Sequence, residues 1–522
     1  MFSKKSLIKS MSVLSGSIFV SRILGFFRDI LVAKVFGTGG IIQAYFVAFK
    51  LPNILRDLLG EGASNSVFIP VFSDYLVKSD KKEFWKFVNT TLVLVLTVSI
   101  ILVCLGIAFS PFIIRIIAPG FTNDAEILDL TIRLTRIIFP YLIFLVVTAF
   151  MMGVLNTFKV FVPSAISPAI FNIVLIIAVF FAKNSLSGIY IMIAAIFISA
   201  LLQVGIHLPF MARQGFTVKP FIFYKNIFAH PGVKKIGKLL IPRLASSAIY
   251  DLNVLIDTIF ASLKVLVGEG AIAAIYYANR MIQFPLGIFG VSISNVSLPT
   301  LSEFVAKKEM DKFANTVEFS LNTIFFIMLP SSLGLLVLSE PVIKTIFQRG
   351  EFTYYSTIIT SSALAFYSIG LCAFSSNRFF SCCFFAMHDT LTPLKITSLA
   401  LILNAILNFV FIVFFKMRIA GLALASSISA TISSIYLFIL LKRRVTQINI
   451  QAIFQQLLMM LIASTVMGLV IFYSKNNLIK YFNSTVALLL TILLGGVVYF
   501  IISLCMGVKQ TKRIWQLILK RK

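Results

Sequence analysis

The stretch Ser21-Arg22-Ile23-Leu24-Gly25-Phe26-Phe27-Arg28-Asp29 sets three charges inside an apolar run long enough to cross a bilayer. A cation at mid-membrane depth costs roughly 2.5 to 3.5 kcal/mol on insertion scales, so such residues face a bundle interior or a watery cavity and mark a pathway. On a helix, Arg22 and Asp29 lie on nearly one face, while Arg28 is turned by about 120° from Arg22. The two arginines therefore span a wide polar sector, and we read them as lining a cavity. Snorkelling to a headgroup is the blander alternative, and the apolar residues on both sides weigh against it.

The next span repeats the theme. Phe49-Lys50-Leu51-Pro52-Asn53-Ile54-Leu55-Arg56-Asp57-Leu58-Leu59-Gly60-Glu61-Gly62 holds a proline, two glycines and four charges. Pro52 removes a backbone hydrogen bond, so the segment is expected to bend where it lines a cavity or meets an interface. Arg56 and, more readily, Lys50 can instead be interfacial. Further along, Tyr276-Tyr277-Ala278-Asn279-Arg280-Met281-Ile282-Gln283-Phe284-Pro285-Leu286-Gly287 again sets a cation before a proline and a glycine. Together Arg22, Arg28, Arg56 and Arg280 cost about 10 kcal/mol if left in lipid, so they must share water or an anion. Guanidinium groups clamp phosphate oxygens bidentately, which points to a phosphate or diphosphate head on the cargo. A weaker constellation is Asp257 with Asn404 and Asn408, the two asparagines lying one turn apart. Such oxygens suit a sodium ion, or Asp257 takes a proton; interhelical hydrogen bonding without transport is an equal reading, and Asp251 is the alternative acid.

These residues need helices to hold them. The chain has 522 residues, 59% hydrophobic and 12% charged, with a mean hydropathy of +0.99. Apolar runs of about 20 residues recur between short polar links, as in a polytopic helical membrane protein rather than a β-barrel. We place spans at 10–36, 41–77 with a break, 86–115, 125–155, 161–182, 187–208, 236–266, 270–298, 313–338, 355–386, 392–416, 418–442, 450–474 and 482–507, about fourteen helices. The net charge of +27 sits mainly in alternate links and at the two ends, which is membrane topology rather than a nucleic-acid surface. It predicts both termini in the cytoplasm. The first apolar run resembles a signal peptide, but Arg22 interrupts it and no cleavage site stands out, so the helix is expected to stay.

Two matches share an offset of about 230 residues. Ser110-Pro111 to Thr122 reads against Ser339-Glu340-Pro341 to Thr353, and Pro70-Val71-Phe72-Ser73-Asp74-Tyr75 against Pro299-Thr300-Leu301-Ser302-Glu303-Phe304. Six helices per repeat give two parallel repeats around a central cavity. The expected architecture is all-α: residues 1–225 as an N-terminal lobe, 226–444 as a C-terminal lobe, and 445–522 as two added helices with a basic tail.

Enzyme signatures are absent from the sequence: there is no Walker A loop, HExxH or GxSxG, and His207, His230 and His388 are scattered. His388 precedes Asp389 in a turn. Cys104, Cys372, Cys382, Cys383 and Cys505 lack metal-ligand spacing and are expected as buried small hydrophobes. No catalytic role, cofactor or firm metal site is expected. A polyprenyl-phosphate enzyme would bring a soluble domain or clustered acids and histidines, and a cationic-drug antiporter would bring a carboxylate-lined cavity.

In SRILGFFRD, FVAFKLPNILRDLLGEGA, APGF, YYANRMIQFPLGIFGV and the DTLTP turn, the chain resembles the MurJ (MviN) lipid II flippase family of the multidrug/oligosaccharidyl-lipid/polysaccharide exporter superfamily. The resemblance runs from Ser10 to about Arg444. It implies fourteen helices in the bacterial inner membrane, two six-helix lobes, and a cationic cavity for the diphosphate-sugar-peptide head of lipid II. It also implies a groove for the polyprenyl tail on the last two helices, with alternating access in a monomer contacting membrane lipids and no nucleic acid. By resemblance Arg22, Arg28, Arg56 and Arg280 are cavity arginines, and Asp29, Asn53 and Glu61 fall on motif positions. The chain departs from the family pattern at Gln43, Asp57, Asn279 and Gln283, which leaves the cavity's charge balance open. A flippase for another polyprenyl-diphosphate glycan is the nearest rival.

Overall fold

The computed structural model describes residues 4–56, 67–217 and 230–519. Glu61, with Asp57, Gly60 and Gly62, lies outside them. All regular elements among the described residues are helical, as expected of a chain that must satisfy its backbone internally in lipid. They divide into two compact units, Met1–Ser262 and Leu263–Lys522.

The first unit runs α1 (Lys4–Phe36), α2 (Gly40–Arg56), α3 (Ile69–Lys78), α4 (Lys81–Ala108), α5 (Ser110–Ile117), α6 (Ala125–Ile138), α7 (Tyr141–Thr157), α8 (Val162–Phe181), α9 (Leu186–Arg213) and α10 (Pro231–Ser262). Here α8 packs on α1 and α9, and α2 on α6 and α7. The sequence-derived boundary at 225/226 assigns α10 to the second lobe. In the structure α10 clusters with the first unit, touching α3, α5 and the 3-10 turn Pro119–Asn123, where Ser262 Oγ accepts from Gly120 N at 3.0 Å.

Within this unit the basic links meet at one end. Trp85, at the start of α4, stacks on Phe158 beyond α7 at 5.7 Å and tilts against Phe216 beyond α9. His230 stacks on Phe87 at 4.9 Å, and Lys235 pairs with Asp74. Beneath them Phe72 meets Phe87 and Phe150 edge-on, each at 5.6 Å. Lipid tails are as apolar as these rings, so packing rather than water exclusion holds helices together at membrane depth; such aromatic pairs contribute about 0.5 to 1.5 kcal/mol each. Gly40 lies against Ile127 of α6, tying the short α1–α2 link to the start of α6.

The second unit runs α11 (Lys264–Val267), α12 (Ala271–Pro285), α13 (Val291–Ala306), α14 (Met310–Phe347), α15 (Tyr354–Ile369), α16 (Leu371–Ala386), α17 (Leu391–Phe409), α18 (Arg418–Arg444), α19 (Ile450–Tyr481), α20 (Ser484–Cys505) and α21 (Lys509–Leu519). A wide turn over Leu286–Gly290 follows Pro285, and another over Val410–Phe414 extends α17. Helix α18 sits among α15, α16 and α17, and the middle of its buried face is rich in small residues, Gly421, Ala423, Ala425, Ser426, Ser427, Ser429, Ala430 and Ser433, beside Leu422. Small residues let backbones approach closely where only dispersion and hydrogen bonds attract. Accordingly Ser427 Oγ donates to Phe366 O at 2.7 Å. Helices α15 and α16 are bent by 48° at Gly370.

At one end of this unit, Asp389 closes the α16–α17 turn. His388 there is left-handed, with φ 60°, fitting its expected turn role. The Asp389 carboxylate accepts from Leu391 N at 3.0 Å, Thr392 N at 2.9 Å and the Thr392 hydroxyl at 2.6 Å, and pairs with Arg444 at 2.6 Å. Burial pushes its pKa up, but the Thr392 bonds and Arg444 outweigh that and hold the group below the usual carboxylate range. Its stabilisation is therefore full above about pH 3.9, the ordinary value, and is lost as pH falls through the lowered folded value. Asp389→Ala removes the cap and the Arg444 link, and an expected loss of about 1 to 2 kcal/mol is measurable by thermal unfolding in detergent at pH 7.

Ten helical spans among the described residues are long and apolar enough to cross a membrane, or eleven if α15 and α16 form one. About fourteen were expected; α1, α2 with α3, and α10, which carry most of the charged residues of interest, lie outside that count. Outward faces are apolar, with Ile101, Phe180, Phe181, Phe454 and Leu493 exposed, the pattern of a multi-pass membrane protein. All five cysteines are free. Cys382 and Cys383 are buried as expected, but Cys104 and Cys505 are exposed because their helix faces point outward.

Candidate functional site

Arg28 is the best-held of the predicted residues. Its Nε and Nη2 donate to Asp29 Oδ1 at 3.0 and 2.7 Å, and its Nη1 donates to Asn172 Oδ1 at 3.1 Å. The guanidinium also lies over the Phe171 ring, 5.5 Å from its centre. Only 12% of the Arg28 side chain and 3% of the Asp29 side chain remain exposed. Thus α1 supplies an ion pair from adjacent residues, and α8 supplies the amide and ring that aim it.

Asn172 is oriented in turn by α1. Its Nδ2 donates to Ser21 O at 3.0 Å and to Pro168 O at 3.1 Å. That second acceptor belongs to a proline inside α8. A Cβ on Gly25 would lie 3.5 Å from the Asn172 amide, so the two helices touch there. Sequence reasoning missed Asn172 and Phe171; the available signal was a lone asparagine four residues after a proline in an otherwise apolar span. In this conformation at least three of the five guanidinium N–H groups of Arg28 are spent on the protein.

Arg22, six residues earlier on α1, is exposed. Arg56 is partly buried at the end of α2, and Asn53 is partly buried one turn before it, next to the buried Pro52. Arg280 belongs to the second unit, on α12. Its Nη2 donates to the Tyr276 hydroxyl at 3.0 Å, its Nη1 reaches Gln283 Oε1 at 3.5 Å, and the group lies 5.2 Å from the Tyr276 ring centre. Gln283, one of the departures from the family pattern, is thus a neutral partner of Arg280. Charges that sequence reasoning passed over also occur on α6: Arg133 pairs with Asp129, and Arg136 donates to Ser110 Oγ at 3.0 Å.

The second constellation divides between the units. Asn404 and Asn408 are fully buried on α17. Asn408 Nδ2 donates to Asn404 Oδ1 at 2.9 Å, and Asn404 Nδ2 donates to Ser426 Oγ of α18 at 3.0 Å. Asp257 stands on α10 in the first unit, half-buried. The Lys50 ammonium donates to the hydroxyl of the neighbouring Thr258. Lys50 of α2 is therefore engaged with α10. Among the described residues no three His, Cys, Asp or Glu side chains are grouped to hold a metal.

Known proteins are similar to this chain over most of its length. A probable lipid II flippase MurJ of Buchnera aphidicola subsp. Acyrthosiphon pisum is 31% identical over 97% of this chain and 98% of its own length. A probable lipid II flippase MurJ of Haemophilus influenzae is 34% identical over 80% and 83%. The solved structure of a lipid II flippase MurJ in an inward closed conformation superposes with a TM-score of 0.78 at 29% identity, covering 94% of this chain and 97% of that one. An inward-facing multidrug resistance MATE transporter of the MOP superfamily matches with a TM-score of 0.68 at 14% identity over 84% and 98%, a likeness of fold alone. Residues 32–509 match the description of the lipid II flippase MurJ family, and with relatives aligned from end to end the chain belongs to that family.

Proposed function

We propose that this chain carries lipid II from the inner to the outer leaflet of the bacterial cytoplasmic membrane, supplying cell wall synthesis. The observation that carries the reading is the family match over residues 32–509, which spans both units. In this reading Arg22, Arg28, Arg56 and Arg280 receive the diphosphate, and Asp29 and Asn53, with Glu61, support them. Arg28 releases N–H donors from Asn172 as phosphate oxygens arrive, so Asn172 acts as a neutral place-holder that a stronger, charge-assisted bond displaces. The protein works as a monomer with both termini in the cytoplasm, by alternating access and without ATP hydrolysis of its own. Membrane potential assists, at about 2.3 kcal/mol per charge per 100 mV.

Conditional depletion of the native flippase in a bacterium, complemented by this chain, tests the reading. Growth and accessibility of lipid II on the outer leaflet are expected to return to at least half of the undepleted level. If the inserted, folded protein restores neither, the cargo is another lipid-linked glycan.

A further inference from the structure

Helix α20 is 22 residues long, about 33 Å at 1.5 Å per residue, which matches a hydrocarbon core of about 30 Å, so its end at Cys505 comes out at a membrane surface. There the chain turns. Gly507 is left-handed, with φ 82°, and Gly507 N and Val508 N donate back to Leu504 O at 3.1 Å and Ser503 O at 3.0 Å, the glycine-capped close of a helix. Helix α21 starts just beyond and is fixed at that level: Lys509 N donates to Gln456 Oε1 of α19 at 3.0 Å, and the Thr511 and Ser503 hydroxyls bond at 2.8 Å. On a helical period Lys509, Lys512, Arg513 and Gln516 lie on one side of α21, and Gln510, Thr511, Ile514 and Trp515 on the other. Gln510 and Thr511 are buried, whereas Ile514 and Trp515 are 39% and 42% exposed. The Trp515 ring lies 6.4 Å from that of Phe500 on α20, a helix whose Val497 and Ile501 are exposed, so the apolar side of α21 continues a lipid-facing surface. Arg513 lies over Phe319 of α14, 4.8 Å from the ring centre. No Asp or Glu follows Asp389 in the chain, and Lys520-Arg521-Lys522 extend the positive charge.

We propose that α21 lies in the plane of the membrane surface and binds the headgroups of anionic phospholipids through Lys509, Lys512 and Arg513, with Ile514 and Trp515 seated at the acyl boundary. A helix with cations on one side and large apolar residues on the other settles there because both sides are satisfied at once. Tryptophan suits headgroup depth, since its ring is itself amphipathic. A nucleic acid or an acidic protein would meet the cations and leave Ile514 and Trp515 in water. Because α21 is bonded to α19 and α20, headgroups held there keep the ends of both helices at the surface. The lipid in question is bilayer lipid, so the inference stands apart from the cargo.

The chain has two tryptophans, Trp85 and Trp515, so full-length Trp85→Phe protein carries a single reporter, on α21. It is reconstituted into phosphatidylcholine bilayers in which a fixed fraction of the lipid is dibrominated phosphatidylglycerol or dibrominated phosphatidylcholine. Bromine quenching of Trp515 fluorescence then reads which lipid lies beside it. Phosphatidylglycerol is expected to bind at least about threefold more strongly than phosphatidylcholine, and Lys512→Gln with Arg513→Gln is expected to bring the ratio to about one. Salt at about 1 M, where charges are screened within about 3 Å, is expected to lower the ratio in the same direction. Absence of quenching by either lipid, equal quenching by both before the double substitution, or a preference that survives it overturns the proposal. So does a preference removed by inorganic phosphate but not by sodium chloride of equal ionic strength, which would assign the cations to a free anion. If Trp85→Phe is not recovered folded, subtracting the emission of Trp515→Phe protein from that of the wild type isolates the same signal, with the same outcomes.

Discussion

Arg28→Ala is expected to abolish complementation and also to destabilise the protein by about 3 to 5 kcal/mol, because it strands the Asp29 carboxylate, 2% exposed, without its cation. The two effects have different causes and can be separated. Arg28→Ala with Asp29→Asn removes the stranded charge and is expected to recover most of the melting temperature. Transport is expected to stay down by at least about tenfold, the worth of one lost charge-assisted bond. Arg28→Lys keeps the charge but cannot reach Asp29 Oδ1 and Asn172 Oδ1 together as the planar fork does, so an intermediate phenotype is expected. If the double variant flips lipid II at the wild-type rate, Arg28 is a structural cation that never meets the cargo.

Gly370→Ala is the second large expected effect, and it lies far in sequence from the arginines. A Cβ at Gly370 would stand 2.7 Å from Ser427 Oγ, 2.8 Å from Ser427 Cα and 2.9 Å from Phe374 Cε2. Ser427 Cα is backbone and cannot swing aside, so α18 must move from the bend between α15 and α16. Overpacking of this kind costs about 1 to 3 kcal/mol, and displacement of Ser427 also breaks its bond to Phe366 O. The expected result is a lower melting temperature in detergent, with transport falling in proportion to folded protein. Gly334→Ala, where a Cβ meets nothing within 4 Å, is the matched control on α14 and is expected to be neutral or slightly stabilising. An equal loss at both positions would show that helix propensity, not the contact with α18, sets the cost.

The all-helical fold was legible because lipid leaves a chain few choices. A backbone in hydrocarbon must bond to itself, so apolar runs of about 20 residues read directly as helices, and the outlines of α8, α9, α18, α19 and α20 followed. The breaks were harder. Pro140 between α6 and α7, Pro285 before a wide turn and Gly370 between α15 and α16 stand inside runs whose composition is continuous, so hydropathy reads across them. Helix α21 escaped notice for the opposite reason: its charges read as tail, although Lys509 N donates to Gln456 Oε1 and Thr511 bonds to Ser503.

Residue type and hydropathy alone mark the charges that are too costly to leave in lipid. Arg22, Arg28, Arg56 and Arg280 stand out by type and depth, since a charge in an apolar run is anomalous whatever surrounds it. What each charge meets depends on how the helices pack. Nothing in the spacing of Arg28 and Asn172, or of Lys50 and Thr258, links them; they lie 144 and 208 positions apart. Helix packing brings such partners within hydrogen-bond reach, and it rests on small residues and ring geometry spread over many positions. That is the physical reason the anomaly was visible in the chain while its resolution was not.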